Sequence, residues 1–358
     1  MKIKLLFFWA SFLLSLAVGE LVLRLRPSFD PQPRVYVGDQ PDRPNANFVA
    51  DPDLGWRMRP GHEFFVDTTE YHVAYRSNAQ GFRDGMRSQP TEAERTMALV
   101  GDSFAFGQGV EFDQTFGALL EAGLPGTAVH NLAMPGYGLD QMWISTKAVA
   151  LPMKPVLVIV AFISEDFTRS LNAYRRDAGL NKPTFQLVGG VLERKTPEDR
   201  PPAWVRFLEA RSRLWTGVKE AMRLLGHRLP VGEWWTLNRA ILDAVRADCR
   251  EAGARVLFVY LPTREPRTFA SLAAYMASTE ADFVDLGNQA PSPPGSLNFP
   301  LDGHLNPEGH HFVAEALLAW IDRAMPGLRA SASARASASS GGIHGPRPEA
   351  AGSSRVAR

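Results

Sequence analysis

Three polar side chains in this sequence have the types and placement of a nucleophile, a base and an acid. Ser103 stands just after an apolar run, Met97–Val100, as the last residue of a Gly-Asp-Ser sequence. Asp302 and His304 come late in the chain, with one glycine between them. A histidine can take the proton of a serine hydroxyl, and a carboxylate on its other nitrogen holds the imidazole in the required tautomer. The three residues therefore indicate acyl-transfer chemistry at a serine.

Each of these residues also has an ordinary structural role. A serine directly after a strand often caps a helix, and an aspartate before glycine often stabilises a turn. His310 and His311 lie nearby, but their position inside a predicted helix favours core or surface roles. The interpretation of Ser103 as a nucleophile therefore depends on whether other polar groups reach the same place.

Two more segments direct polar groups to one edge of the predicted sheet. The loop Asn131–Gly138 follows a strand and can aim a backbone N–H at this edge. The segment Ile163–Phe167 ends Val156–Phe162, a β-branched run typical of a strand buried on both faces. Open α/β sheets bind ligands at the carboxyl ends of their strands. The joint occurrence of these segments favours a functional site more than any one of them does.

Strands alternate with helices from residue 95 onward, which predicts an α/β fold with a parallel, doubly wound sheet. We expect a flavodoxin-like three-layer α/β/α architecture with an N-terminal β-rich lead-in and a helical cap insertion. The predicted strands are Met97–Val100, Ala128–Leu132, Val156–Phe162, Arg255–Leu261 and Phe283–Leu286, and the predicted helices are Thr115–Ala122, Leu139–Ala150, Arg239–Ala252 and Pro307–Met325.

The rest of the chain divides by composition. Residues 1–26 are apolar behind two lysines, and we expect a membrane anchor there, with a cleaved signal peptide as the alternative. Residues 27–50 are predicted to be a linker, 51–94 the lead-in, and 95–328 the main α/β domain with its insertion at 167–236. Residues 329–358 are Ala/Ser/Gly/Arg-rich and are predicted to be disordered.

Composition excludes several classes of function. The formal net charge is +1 without a long basic run, which argues against nucleic acid as a partner. The single cysteine, Cys249, excludes an intramolecular disulfide framework, and no residue spacing predicts a metal site or a cofactor. The insertion region contains four tryptophans, Trp204, Trp215, Trp234 and Trp235. We expect them to pack in the core or the cap, with stacking on a sugar ring as the alternative.

Together these motifs resemble those of the GDSL or SGNH hydrolase superfamily, particularly its membrane-anchored, extracytoplasmic members that modify polysaccharides. The resemblance covers residues 51–325 and includes Asp51–Arg57 and Gly81–Asp84 ahead of the nucleophile strand. It implies that Ser103 is the nucleophile and also an oxyanion donor through its own amide. It further implies that Gly136 supplies a second amide, with Asp302 as the acid and His304 as the base.

The sequence departs from the family pattern at two places. Only one residue separates the acid and the base, where the family usually has two. Ser164-Glu165-Asp166 stands where the family has Gly-Asn-Asp, and an ionised Glu165 would repel the oxyanion that asparagine stabilises. Loss of one such donor costs about 10²–10³ in rate. Protonation of Glu165, donation by Ser164, or pairing of Glu165 with an arginine of the insertion would each relieve this repulsion.

The resemblance implies a serine ester hydrolase or O-acyltransferase that acts on acyl groups, chiefly acetyl, of an extracytoplasmic glycan. It places the protein at the inner membrane through its N-terminal helix, with secretion after signal cleavage as the alternative. Two other functions stay open: a non-catalytic relative that binds a glycan or a partner protein, and an esterase directed at lipids.

Overall fold

The computed structural model describes residues 2–25, 35–37, 47–83, 95–175, 180–195, 232–264, 270–289 and 296–328, with residues 204, 208, 212, 214 and 215. The predicted disordered tail, 329–358, and most of the stretch 204–228 lie outside this part of the chain.

Regular elements account for most of the described chain. The strands are β1 (Val35–Val37), β2 (Phe48–Asp51), β3 (Gly55–Met58), β4 (Glu63–Asp67), β5 (His72–Arg76), β6 (Arg95–Gly101), β7 (Thr127–Asn131), β8 (Leu157–Phe162), β9 (Tyr174–Arg175), β10 (Leu180–Asn181), β11 (Phe185–Val188), β12 (Val191–Arg194), β13 (Arg255–Tyr260) and β14 (Phe283–Asp285). The helices are α1 (Lys2–Leu25), α2 (Ser103–Phe106), α3 (Phe116–Gly123), α4 (Leu139–Ser145), α5 (Ser164–Arg169), α6 (Gly232–Glu251), α7 (Ala270–Ser278) and α8 (Pro307–Ala324).

A five-stranded parallel sheet forms the centre of the molecule, in the order β14-β13-β8-β6-β7. Every residue of β8 is buried, as expected for a central strand covered by helices on both faces. Around the sheet, α3 packs on α8, and α4 packs on α6. The predicted α/β fold with a parallel sheet is confirmed.

Two flanking helices differ from their predicted bounds. The α-helical part of α4 stops at Ser145, and the chain continues in a wider π-helical turn, Thr146–Ala150. Helix α6 begins at Gly232 rather than at residue 239. Trp234 and Trp235, assigned to the insertion, therefore belong to a helix that packs on the core. Both indole rings contact the ring of Phe167 in α5, so the packed face of α6 already includes its first turn.

The lead-in is β-rich as predicted, but it begins earlier in the chain. Strand β4 pairs with β5 in an antiparallel hairpin, and β1 pairs with β4 on its other side. Strands β2 and β3 form a second antiparallel pair. Both β1 and most of β2 lie in the predicted linker, so these stretches of 27–50 are paired strands rather than extended connection.

The described residues within 174–194, in the first half of the insertion, form β-hairpins. Strand β9 pairs with β10, and β11 pairs with β12 around Gly189 and Gly190. Both glycines have positive φ, as a tight turn between strands requires. The helical stretches expected in the insertion are 204–228, most of which lies outside the described residues, and Trp234-Trp235, which are helical as part of α6.

Residues 2–25 form the helix α1, as the apolar N-terminus predicts. Within the part of the chain that the structure describes, no helix combines the length and apolar character needed to cross a membrane.

The glycine of the Gly-Asp-Ser sequence is required by close packing. Gly101 is the last residue of β6 and faces Ala161 of β8 in the sheet register. A Cβ at this position would lie 2.5 Å from the Cβ of Ala105 and 2.6 Å from the carbonyl oxygen of Ala161. Only glycine lets the strand end and α2 approach β8 this closely.

We predict that Gly101→Ala destabilises the fold by about 1–3 kcal/mol, the usual cost of overpacking a close-packed interior. Chemical denaturation monitored by circular dichroism measures this loss. Gly327→Ala is the matched control, because a Cβ there has no atom within 4 Å, and it should change the unfolding free energy by less than about 0.5 kcal/mol. Equal effects of the two substitutions would contradict the packing argument.

Candidate active site

Ser103 is the first residue of α2, at the turn that leaves the central sheet. The carboxylate of Asp102 caps this helix by accepting the backbone N–H of Phe104 at 2.9 Å. The helix ends after one turn at Gly107, whose left-handed backbone closes the turn onto the carbonyl of Ser103. Ser103 is only 5% exposed. Strand, cap and short helix thus hold the serine hydroxyl at the carboxyl end of β6.

His304 meets Ser103 from the opposite end of the chain. Its Nε2 lies 2.7 Å from the Oγ of Ser103. Its Nδ1 is hydrogen-bonded to Oδ1 of Asp302, and the ring of Phe104 packs at 4.8 Å from the imidazole. The structure therefore brings the predicted nucleophile, base and acid together in the order that serine acyl transfer requires.

The loop that carries Gly136 runs beside the serine turn. The Met134 amide donates to the carbonyl of Gly101 at 3.1 Å, so the chain continues alongside the end of β6. Gly136 is buried and has a φ of +79°, which favours glycine. Trp56 of the lead-in holds this loop from outside, because its indole N–H donates to the carbonyl of Pro135 at 3.1 Å.

The segment Ser164–Asp166 is arranged differently from two of the expectations for it. Glu165 is exposed, and its Oε2 accepts the hydroxyl of Ser164 at 3.0 Å. The hydroxyl proposed as an oxyanion donor is thus engaged by its neighbour. Arg169, which belongs to the region assigned to the insertion, forms its salt bridges with Asp102 and Asp166.

A cluster of charged side chains lies beside Ser103. Arg169 Nη1 is 2.9 Å from Oδ2 of Asp102 and also contacts the carboxylate of Asp166, and both carboxylates are fully buried. Burial, followed by the charge of Asp102, raises the pKa of Asp166 well above its ordinary range. Burial alone would lower the pKa of Arg169, but the charges of Asp166 and Asp102 outweigh it and raise that pKa. The cluster ties α5 to the serine turn.

Two residues that the sequence analysis does not identify contact the loop that carries Asp302. The Tyr71 hydroxyl donates to Oδ2 of Asp302 at 2.8 Å, and the carboxylate of Glu70 accepts the amide of Asp302 at 2.7 Å. Both residues lie between β4 and β5, in a hairpin whose alternating pattern indicates only a strand pair. No local signal distinguishes them from other turn residues.

Within the described ranges, no group of three or more His, Cys, Asp and Glu side chains is arranged to hold a metal ion.

No protein-family model matches this chain, and no curated protein matches it either. Solved structures similar to it include a GDSL-like lipase from Bacteroides thetaiotaomicron, at 10% identity and a TM-score of 0.39, over 66% of this chain and 93% of that one. A psychrotrophic esterase from Pseudoalteromonas sp. matches at 12% and 0.39, over 64% of this chain and 98% of its own. A catalytic mutant of an acetylxylan esterase from Geobacillus stearothermophilus matches at 12% and 0.38, over 64% and 95% respectively. At these identities and TM-scores the similarities assign neither a family nor an activity to the chain.

His310 is a core residue, whereas His311 beside it is exposed. His310 stacks on Phe116, and its Nδ1 accepts the Phe116 amide at 3.2 Å. Burial, followed by the charges of Arg83 and His304, lowers the pKa of His310 to about 3. The folded protein therefore keeps this imidazole neutral at pH values where the unfolded chain protonates it.

We predict that His310 makes the protein less stable in mild acid. A depressed histidine pKa means that the unfolded state binds more protons below about pH 6.5, so stability falls as the pH drops from there toward 3. The loss amounts to about 2 kcal/mol between pH 7 and pH 5. Urea unfolding of His310→Asn should show a pH dependence weaker by about this amount. His311→Gln is the control, and it should retain the wild-type pH dependence.

Proposed function

We propose that this protein is a serine-dependent ester hydrolase or O-acyltransferase. The observation that carries the proposal is the continuous hydrogen-bonded series from Ser103 through His304 to Asp302. A helix-capping serine needs no imidazole at 2.7 Å, and a turn-stabilising aspartate needs no histidine on its carboxylate. The contacts therefore support catalysis over the structural roles that these residues have elsewhere.

The reaction follows from the positions of these groups. The Oγ of Ser103 forms a bond to the acyl carbonyl carbon while its proton passes to Nε2 of His304. His304 then gives this proton to the leaving alcohol oxygen as the ester C–O bond breaks, which leaves an acyl-serine. Water or a sugar hydroxyl next attacks the acyl carbon and gives its proton to His304. Return of that proton to Oγ releases the acid or the new ester and restores the serine.

Backbone amides supply the oxyanion contacts in this proposal. Ser103 stands at the amino end of α2, and the Gly136 loop runs beside it through the hydrogen bond from Met134 to Gly101. Exposure of Glu165 supports the same assignment, because water screens an exposed carboxylate. Neither Ser164 nor Glu165 is required as a donor.

We extend the proposal to a small acyl group, acetyl, carried by an extracytoplasmic glycan. The 5% exposure of Ser103 and the packing of Phe104 on His304 support a narrow approach to the nucleophile. The sequence resemblance to polysaccharide-modifying proteins supports the glycan. A lipid-directed esterase and a non-catalytic binding protein are the alternatives that the following experiments separate.

We predict that a fluorophosphonate probe labels the wild-type protein and that Ser103→Ala abolishes labelling. The probe reacts with a serine only where a base removes the hydroxyl proton. Gel fluorescence or intact mass measures the adduct. Ser278→Ala, at the exposed end of α7, is the control and should label as the wild type does. Absence of labelling in folded wild-type protein would favour the binding protein.

We predict a preference for short acyl chains. The value of kcat/KM should be at least about tenfold higher for p-nitrophenyl acetate than for p-nitrophenyl laurate, because a nearly buried nucleophile excludes a long acyl chain. Each kcal/mol of transition-state stabilisation that is lost lowers the rate about fivefold. Release of p-nitrophenolate measures both reactions. The reverse preference would favour the lipid-directed esterase.

A further inference from the structure

We infer that Tyr71 is a positioning residue that orients the acid of the proposed active site from within the lead-in. This inference rests on the proposed function and adds to it. The inference makes the β4–β5 hairpin a part of the catalytic unit, although the hairpin precedes residues 95–328, the domain that contains Ser103, Asp302 and His304.

The two oxygens of the Asp302 carboxylate have separate partners. Oδ1 is hydrogen-bonded to Nδ1 of His304, and Oδ2 accepts the hydroxyl of Tyr71 at 2.8 Å. A carboxylate held by one oxygen can turn about its Cβ–Cγ bond, whereas one held by both keeps a fixed plane. Tyr71 therefore fixes the plane in which the Asp302 carboxylate is hydrogen-bonded to the imidazole of His304.

The residue before Tyr71 fixes the backbone of the same loop. The carboxylate of Glu70 accepts the amide of Leu301 through Oε1 and that of Asp302 through Oε2, each at 2.7 Å. Hydrogen bonds to an ionised acceptor are shorter and stronger than those between neutral groups. They hold the loop just ahead of Gly303, whose φ of +87° turns the chain toward His304.

The hairpin turn itself is built to present these two side chains. The hydroxyl oxygen of Thr68 accepts the amides of Glu70 and Tyr71 at 3.1 and 3.0 Å. The Tyr71 ring is buried and packs on Phe299 at 5.1 Å. Two side chains of one turn thus make four contacts with one loop, which distinguishes this arrangement from an incidental surface hydrogen bond.

The test is the substitution Tyr71→Phe, which removes the hydroxyl and keeps the ring on Phe299. We expect kcat on p-nitrophenyl acetate to fall about tenfold to a hundredfold, since hydrogen bonds to charged groups are worth that factor. KM should stay within about twofold, because Tyr71 acts through Asp302 and not on the substrate. Tyr275→Phe is the matched control: it removes a 2.7 Å hydroxyl–carboxylate bond to Asp243 between α7 and α6, and kcat should be unchanged.

A double-mutant cycle with Asp302→Asn separates positioning from general support of the fold. In the Asp302→Asn protein, Tyr71→Phe should lower kcat by less than about twofold, because the carboxylate that it orients is gone. Glu70→Gln provides a second probe of the same loop and should also lower kcat at constant KM. A wild-type kcat for Tyr71→Phe, or an equal loss in both backgrounds, would overturn the inference.

The inference and the proposed function fail in different ways. If Ser103→Ala retains fluorophosphonate labelling and esterase activity, the proposed function fails. If Ser103→Ala is inactive while Tyr71→Phe reacts at the wild-type rate, the function stands and the positioning role is lost.

Discussion

The hydrogen bond between Oγ of Ser103 and Nε2 of His304 joins residues 201 positions apart in the chain. Its 2.7 Å length depends on two independent supports. Strand β6 and the helical turn after it deliver the serine, and the loop before α8 delivers the histidine. Reacting groups displaced by about 1 Å can lose about 10²-fold in rate. Many of the surrounding contacts hold these two supports in a fixed position relative to each other.

Buried charge provides one of these contacts. Asp102 caps α2 and also pairs with Arg169, so its carboxylate links the turn that carries Ser103 to α5. Breaking a buried ion pair by removing one partner typically costs about 3–5 kcal/mol, because the other charge is left uncompensated. Asp166 shares the same guanidinium and caps the amide of Ile163 at 2.9 Å. The ends of β6 and β8 are thereby locked to each other at the site.

The sequence predicted those parts of the site whose signals are local. Hydrophobic runs indicated the central strands, and a serine at a strand end with an aspartate and a histidine before a helix indicated the chemistry. Tyr71 and Glu70 escaped prediction because their role arises only when a hairpin meets a loop 231 residues away. The position of Glu165 was equally beyond sequence, since exposure depends on how α5 packs. Helix α6 starts seven residues before its predicted start because Trp234 and Trp235, which follow the insertion without a break in composition, belong to its first turn.

The proposed reaction requires that Ser103 becomes covalently acylated. Peptide mapping of the protein mixed with p-nitrophenyl acetate and quenched in acid within milliseconds tests this step. One acetylated peptide, modified at Ser103, should form and decay at rates consistent with turnover. Acetylation confined to another residue, or steady turnover with no acyl-protein at any time, would contradict it.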